Sequence, residues 1–208
     1  MEHCEECGFT YDELPAPAVP EALRSLAPRY RDRLTAPVAA GDLDARLRAH
    51  PFPGVWSELE YACHLRDVLS VQRDRLRLAL AEHRPTFAPM GREERVGRDR
   101  YNHQEPAAVA QEIDAAAEDL AAALASLDDD QWQRVAVYNW PAPAPRTMAW
   151  LARHTVHEGE HHLADMDRLR AASGGPGGGP GGGPRTGGPR ARRAGGSGSR
   201  PLSGRPPS

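Results

Sequence analysis

Long apolar runs are missing from this chain. No stretch of about eighteen apolar residues occurs, which excludes a membrane-spanning helix. The opening Met1-Glu2-His3-Cys4-Glu5 has neither the charged nor the apolar region of a signal peptide, so the expected location is the cytoplasm. Aromatic residues are few, 6% of 208 residues against 39% hydrophobic, and Ala, Leu and Arg fill the long periodic segments, a composition that suits helices rather than strands. Apolar residues all but vanish after Leu169. From Ala171 to Ser208 the chain is mostly Gly, Pro, Ser and Arg, so it cannot bury enough surface to offset the entropy of ordering and reads as disordered. That stretch carries Arg185, Arg190, Arg192, Arg193, Arg200 and Arg205 and no acid; with a net charge of -3 for the whole chain, the remainder is strongly acidic. An acidic body argues against a nucleic-acid enzyme, and a tail without interleaved aromatics reads as a solvated extension rather than a phosphate-binding arm.

Cysteine is equally scarce. Of the three in the chain, Cys4 and Cys7 form one Cys-x-x-Cys and Cys63 stands alone. A single Cys-x-x-Cys is half of a tetrahedral zinc site, and the adjacent His3 cannot complete it without strain. The strand and helix that normally flank a redox pair are missing, since Phe9-Thr10-Tyr11-Asp12 leads into Pro15-Ala16-Pro17. Three readings stay open for the pair: structural, metal-binding with ligands from elsewhere, or redox. Cys63 reads as a small core residue.

What is present is helix signal. The expected organisation is an N-terminal segment over 1–18, a helical domain over 19–172 and a tail over 173–208. A first helix is predicted from about Val19 to Leu34, with Pro28 inside it as a warning of a kink or break. A short helical piece over Leu43 to Ala49 precedes the turn His50 to Gly54. Ser57 caps the second helix, with Glu60 completing a capping box. The charged, proline-bearing stretch Arg84 to Glu105 reads as a long crossover, which in a bundle links two parallel helices. A third helix runs from Pro106 to about Leu127 and ends at Asp128-Asp129-Asp130. Trp132 to Pro145 is an irregular connection, either a short hairpin or a lid, and Thr147 to Arg170 is the fourth helix.

The fourth helix carries the densest chemistry, His154-Thr155-Val156-His157-Glu158-Gly159-Glu160-His161-His162. Residues four apart lie side by side on a helix, so His157 and His161 form a two-imidazole clamp for a transition metal. His157-Glu158-x-x-His161 also matches the zinc-protease pattern, in which the glutamate is the general base. Such a site needs a third ligand, and none suited follows before the chain loses core character. His64 is the upstream candidate, because Tyr61, Val68 and Val71 mark its helix face as inward. His154 and His162 are candidate supports for the ligands. Glu158 is the candidate catalytic carboxylate; alternatively Glu158 and Glu160 are simply solvated. Asp99, Arg100 and Tyr101 are candidates to cover the site.

Val55 to Leu69, with Trp56, Glu60, Tyr61, His64 and Asp67, and His157-Glu158-Gly159-Glu160-His161-His162-Leu163-Ala164-Asp165 together resemble the DinB/YfiT-like family of metalloenzymes. The resemblance spans most of the chain before the tail. It implies an all-α, up-down-down-up four-helix bundle with a three-histidine metal site, whose ligands carry over to His64, His157 and His161. Where the family often has His-Asp-x-x-His-His, this chain has Glu158 in place of the aspartate. Three neutral ligands leave the charge of a divalent ion, zinc or nickel, on open positions. The resemblance further implies a transferase or isomerase that uses a low-molecular-weight thiol such as mycothiol or bacillithiol on a small-molecule substrate. A metal-dependent hydrolase and a non-catalytic stress or binding protein are the alternatives, and a homodimer is left open.

Overall fold

Ser57 opens the second long helix as its spacing predicts: its side chain accepts from the Glu60 backbone N–H, and Glu60 accepts in return from the Ser57 N–H at 2.8 Å. Such a cap contributes about 1 kcal/mol and fixes where the helix begins. The structure is a computed structural model, and it describes residues 2–37, 41–140 and 142–173. The segment expected to be a disordered tail lies outside the described residues, apart from its first residues, which continue the last helix.

Four long helices build the molecule: α1 (Val19–Thr35), α3 (Glu58–Ala81), α5 (Pro106–Ala125) and α7 (Met148–Ser173). Short helices α2 (Leu43–Arg48), α4 (Arg92–Arg98) and α6 (Asp129–Gln133) lie in the connections. α1 packs on α5 and α7, and α3 packs on the same two, so the four close into a ring around one core. Ion pairs across the seams report direction. Arg24 meets Glu118 and Arg31 meets Asp114, so α1 and α5 are antiparallel. Arg66 meets Glu112 and Arg73 meets Asp119, so α3 and α5 run parallel. Arg29 meets Glu160 and Arg33 meets Asp167, so α1 and α7 run parallel. The end of α7 returns to the start of α3, where Arg170 holds the buried Glu58 at 2.8 Å. The order is therefore up-down-down-up, as the long crossover between α3 and α5 requires. No helix among the described residues is long and apolar enough to cross a membrane.

Three local expectations change. Pro28 does not break α1: the helix runs continuously through it from Val19 to Thr35. The crossover is not plain loop, because it holds α4 and a 3₁₀ turn over Tyr101–His103. Asp67 on α3 anchors both, accepting from the Tyr101 hydroxyl at 2.6 Å and from Arg95 at 2.9 Å. Asp128 caps α6 with its own capping box instead of only ending α5. Of the two readings of the next connection, the hairpin holds: β1 (Val135–Tyr138) pairs antiparallel with β2 (Ala144–Thr147).

Gly159 sets how close α1 and α7 come. A Cβ there would fall within contact distance of the fully buried Leu26 side chain, and Tyr30 donates to the Gly159 carbonyl at 2.9 Å. The glycine thus sits inside the histidine-rich run because a neighbouring backbone needs the space.

Candidate metal centres

On α7 the positions His154, His157, Glu158, His161, His162 and Asp165 fall at i, i+3, i+4, i+7, i+8 and i+11, the stripe that an amphipathic helix normally fills with core residues. Here the stripe is titratable. Adjacent residues on a helix point roughly 100° apart, so His157 and His161 occupy one edge of it and Glu158 and His162 the other. The two edges meet different neighbours.

The Glu158 edge faces α3. His64, Glu158 and His162 bring one ligand atom each within 4.8 Å of one another. Glu158 Oε2 lies 3.8 Å from His64 Nε2 and 3.5 Å from His162 Nε2. Donors held at about 2.0–2.2 Å from one tetrahedral ion sit roughly 3.3–3.6 Å apart; the His162 separation falls in that range and the His64 separation is slightly longer. His162 Nδ1 lies 3.0 Å from Asp165 Oδ2, and Asp165 is held in turn by Arg168. His162 Nε2 is buried and has no hydrogen-bond partner. With Nδ1 donating to Asp165, a neutral His162 aims a lone pair at a carboxylate, which is repulsive unless a cation or a proton lies between.

Burial pushes His64 down to about 4, so it is a neutral imidazole at neutral pH. Burial opposes charge on Glu158 too, but His162 and His64 outweigh it and hold the carboxyl well below its usual range. His162 moves the other way: burial lowers it, and Asp165 and Glu158 more than compensate. Trp56 packs against the His64 ring at 5.0 Å and lines a cleft of about 430 Å³ with His50, Phe52 and Glu60. The Glu158 side chain is 24% exposed, whereas His64 and His162 are almost fully buried, so the group opens on the Glu158 side.

The His157 edge faces the N-terminal segment. Cys4, Cys7, His157 and His161 bring one ligand atom each within 4.8 Å. Between the two edges, His154, His157 and Glu158 form a third group that shares members with both. Tyr11 Oη lies 2.8 Å from His154 Nδ1, and the indole of Trp150 stacks on the His154 ring.

The expected trio of His64, His157 and His161 is therefore not brought together as one group among the described residues. Its members divide between the two edges, and Glu158 and His162 join His64. The run from His157 to His162 contains two overlapping i,i+4 pairs, and the sequence shows both without showing which one meets α3. Glu158, expected as a base, lies 3.8 Å from His64 Nε2, and His162, expected as a support, belongs to the same group. Glu160 is turned outward into its pair with Arg29. Cys63 is buried beside the Tyr101 carbonyl; burial pushes its thiol up to about 12, and it sits in the core as expected. Tyr101 is buried against Asp67 of α3 and Asp99 pairs with Arg98.

The DinB superfamily profile matches residues 29–166. No curated relative matches in sequence. Among solved structures, YfiT from Bacillus subtilis, described as a probable metal-dependent hydrolase with an unusual four-helix bundle topology, superposes with a TM-score of 0.68 at 17% identity, covering 84% of this chain and 94% of that one. With the up-down-down-up bundle and a profile match over most of the described helices, this chain belongs to the DinB superfamily.

Proposed function

We propose that the chain is a divalent-metal-dependent enzyme, with His64, Glu158 and His162 as the protein's ligands, that transfers a low-molecular-weight thiol of the mycothiol or bacillithiol type to a small electrophile or isomerises the substrate with it. The observation that carries the reading is the buried, unpartnered Nε2 of His162 aimed at the Glu158 carboxylate opposite His64. A divalent ion held there would lower the pKa of a thiol or water brought to it and polarise a carbonyl. Two imidazoles and a carboxylate suit zinc or nickel. Asp165, itself held by Arg168, keeps the His162 ring from turning away.

Glu158 in this reading is a ligand and not a base, because both its oxygens face imidazole nitrogens. The neighbouring carboxylates are engaged as well, Asp165 by His162 and Arg168, and Glu160 by Arg29. A water nucleophile must be brought down from a pKa of about 16 by the ion, with no free carboxylate beside it to help. A thiol, with a pKa of about 8.5, needs only a small shift to ionise at neutral pH. That difference favours thiol over water. Thiol and substrate enter past the partly exposed Glu158. Arg92, close enough for its charge to work against protonation of His64, supplies a positive group for an anionic substrate.

The description of the YfiT structure favours a second reading, hydrolysis with water as the nucleophile. One assay separates them: metal-loaded protein, an electrophilic bimane reagent, and mycothiol or bacillithiol present or omitted. Thiol-dependent conjugation that disappears in His64→Ala supports transfer. Turnover of ester or amide substrates that ignores the thiol supports hydrolysis.

A further inference from the structure

The Cys4-x-x-Cys7 pair has a structural setting that the reading above does not use. Cys4 and Cys7 open a tight turn: the Gly8 N–H donates to the Cys4 carbonyl at 2.9 Å, and the Cys4 N–H donates to the Phe9 carbonyl at 2.9 Å. Gly8 takes φ +78°, a conformation that side chains other than glycine adopt at a cost, and its place directly after Cys7 closes the turn so that both thiols face one side. A bridge between His3 and Thr10 clamps the base of the turn. Both thiols are free rather than joined in a disulfide.

The side they face is the His157 edge of α7. Cys4 Sγ lies 3.6 Å from His161 Nδ1, against roughly 3.5 Å for sulfur and nitrogen ligands on one tetrahedral zinc. The other nitrogen of His161 lies 3.5 Å from Glu6 and 3.7 Å from Asp165, the carboxylate partners that orient a ligating imidazole. Neither nitrogen of His157 has a hydrogen-bond partner, although both are buried, while the rings of Phe9 and Tyr11 pack on it. A buried imidazole with two orphaned nitrogens costs stability unless something satisfies it. The ligand spacing Cys-x2-Cys and His-x3-His is that of two thiolates and two imidazoles on zinc, here with the halves far apart in the sequence and adjacent in the fold.

We propose that Cys4, Cys7, His157 and His161 bind one zinc ion in a closed Cys2His2 site, separate from the His64, Glu158 and His162 group. Binding releases the two thiol protons, and the two thiolates balance the charge of the ion. Four protein donors leave no open position, so the ion is structural. It pins the N-terminal segment across α7, where Trp150 Nε1 also donates to Glu2 at 2.8 Å and Arg153 donates to the Leu14 carbonyl.

Cobalt substitution of the full chain tests this. Metal-stripped, reduced protein titrated with Co2+ should develop a thiolate-to-cobalt charge-transfer band in the near ultraviolet with tetrahedral visible bands. His64→Ala should keep the band, and Cys4→Ser/Cys7→Ser should lose it together with one equivalent of zinc by elemental analysis. Should the double variant misfold, thiol counting on the native zinc protein decides: Cys4 and Cys7 should resist Ellman's reagent until a chelator is added. A wild-type titration without the charge-transfer band, two thiols reactive before chelation, or a disulfide that persists in the chelated protein overturns the proposal.

Discussion

His162 stands between two carboxylates, with Nδ1 3.0 Å from Asp165 Oδ2 and Nε2 3.5 Å from Glu158 Oε2. One carboxylate orients the ring and the other shares its free nitrogen with His64. Removing the orienting group should therefore weaken a metal without removing a ligand. In a Cys4→Ser/Cys7→Ser background, Asp165→Asn should lower affinity for zinc about 10–100-fold in competition with a chromophoric chelator. His64→Ala should lower it further. Unchanged affinity in both would remove the His64 group as the metal site.

The zinc-protease pattern makes a contrary forecast, in which metal-loaded protein cleaves peptides and Glu158→Gln abolishes cleavage while keeping the metal. We expect no peptidase activity in the parent protein. His157 and His161 face the cysteine turn, while Glu158 reaches His157 but not His161 among the grouped ligand atoms of the described residues, so the base and both arms of the clamp do not meet on one ion. A fluorogenic-peptide assay checks it, and cleavage lost in Glu158→Gln would reverse the assignment of ligands.

Acid should destabilise the metal-free protein. Burial lowers His64 and His157 from 6.5 to about 4, and lowers His154 and His161 as well. A histidine whose folded pKa lies below its unfolded value takes up a proton on unfolding, so its contribution is full above about 6.5 and is lost as pH falls towards 4. His162 is raised and acts in the opposite sense, but it is one against four. Urea midpoints of the stripped protein at pH 7 and pH 5 should differ, with the lower midpoint at pH 5. A midpoint that rises on acidification contradicts the burial of these rings.

Gly159 should resist substitution. A methyl group would press on Leu26, an overpacking cost of about 1–3 kcal/mol, partly offset by about 1 kcal/mol of helix propensity gained over glycine. Gly159→Ala should lose roughly 1 kcal/mol in thermal or urea unfolding, and Gly159→Val distinctly more. A stabilised Ala variant would mean that α1 can retreat from α7 at little cost.

Glu58 is buried at the start of α3 between Arg170 and Arg46. Because both arginines stay partly exposed, Glu58→Ala should cost about 2 kcal/mol, less than a fully buried ion pair would lose. Differential scanning calorimetry measures it, and a loss below about 0.5 kcal/mol would mean that the pair is no more than a surface contact.

The sequence by itself determined the four long helices and the cap that opens α3. Ser57 with Glu60, the apolar spacing around His64, the long crossover and the six titratable positions of α7 are local patterns, and local patterns are written in neighbouring residues. The resemblance carried the bundle order. The histidine-rich run announced a metal without apportioning its members, because His157 with His161 and Glu158 with His162 have the same spacing. Only the tertiary structure decided between them. Which edge of α7 faces α3 depends on how far the helix is rotated in the bundle, and that rotation is set by distant contacts: Leu26 and Tyr30 against Gly159, and Arg170 against Glu58. The partner of Cys4 and Cys7 was hidden for the same reason, since the closing pair lies some 150 residues away in sequence and meets the turn only once the bundle has closed.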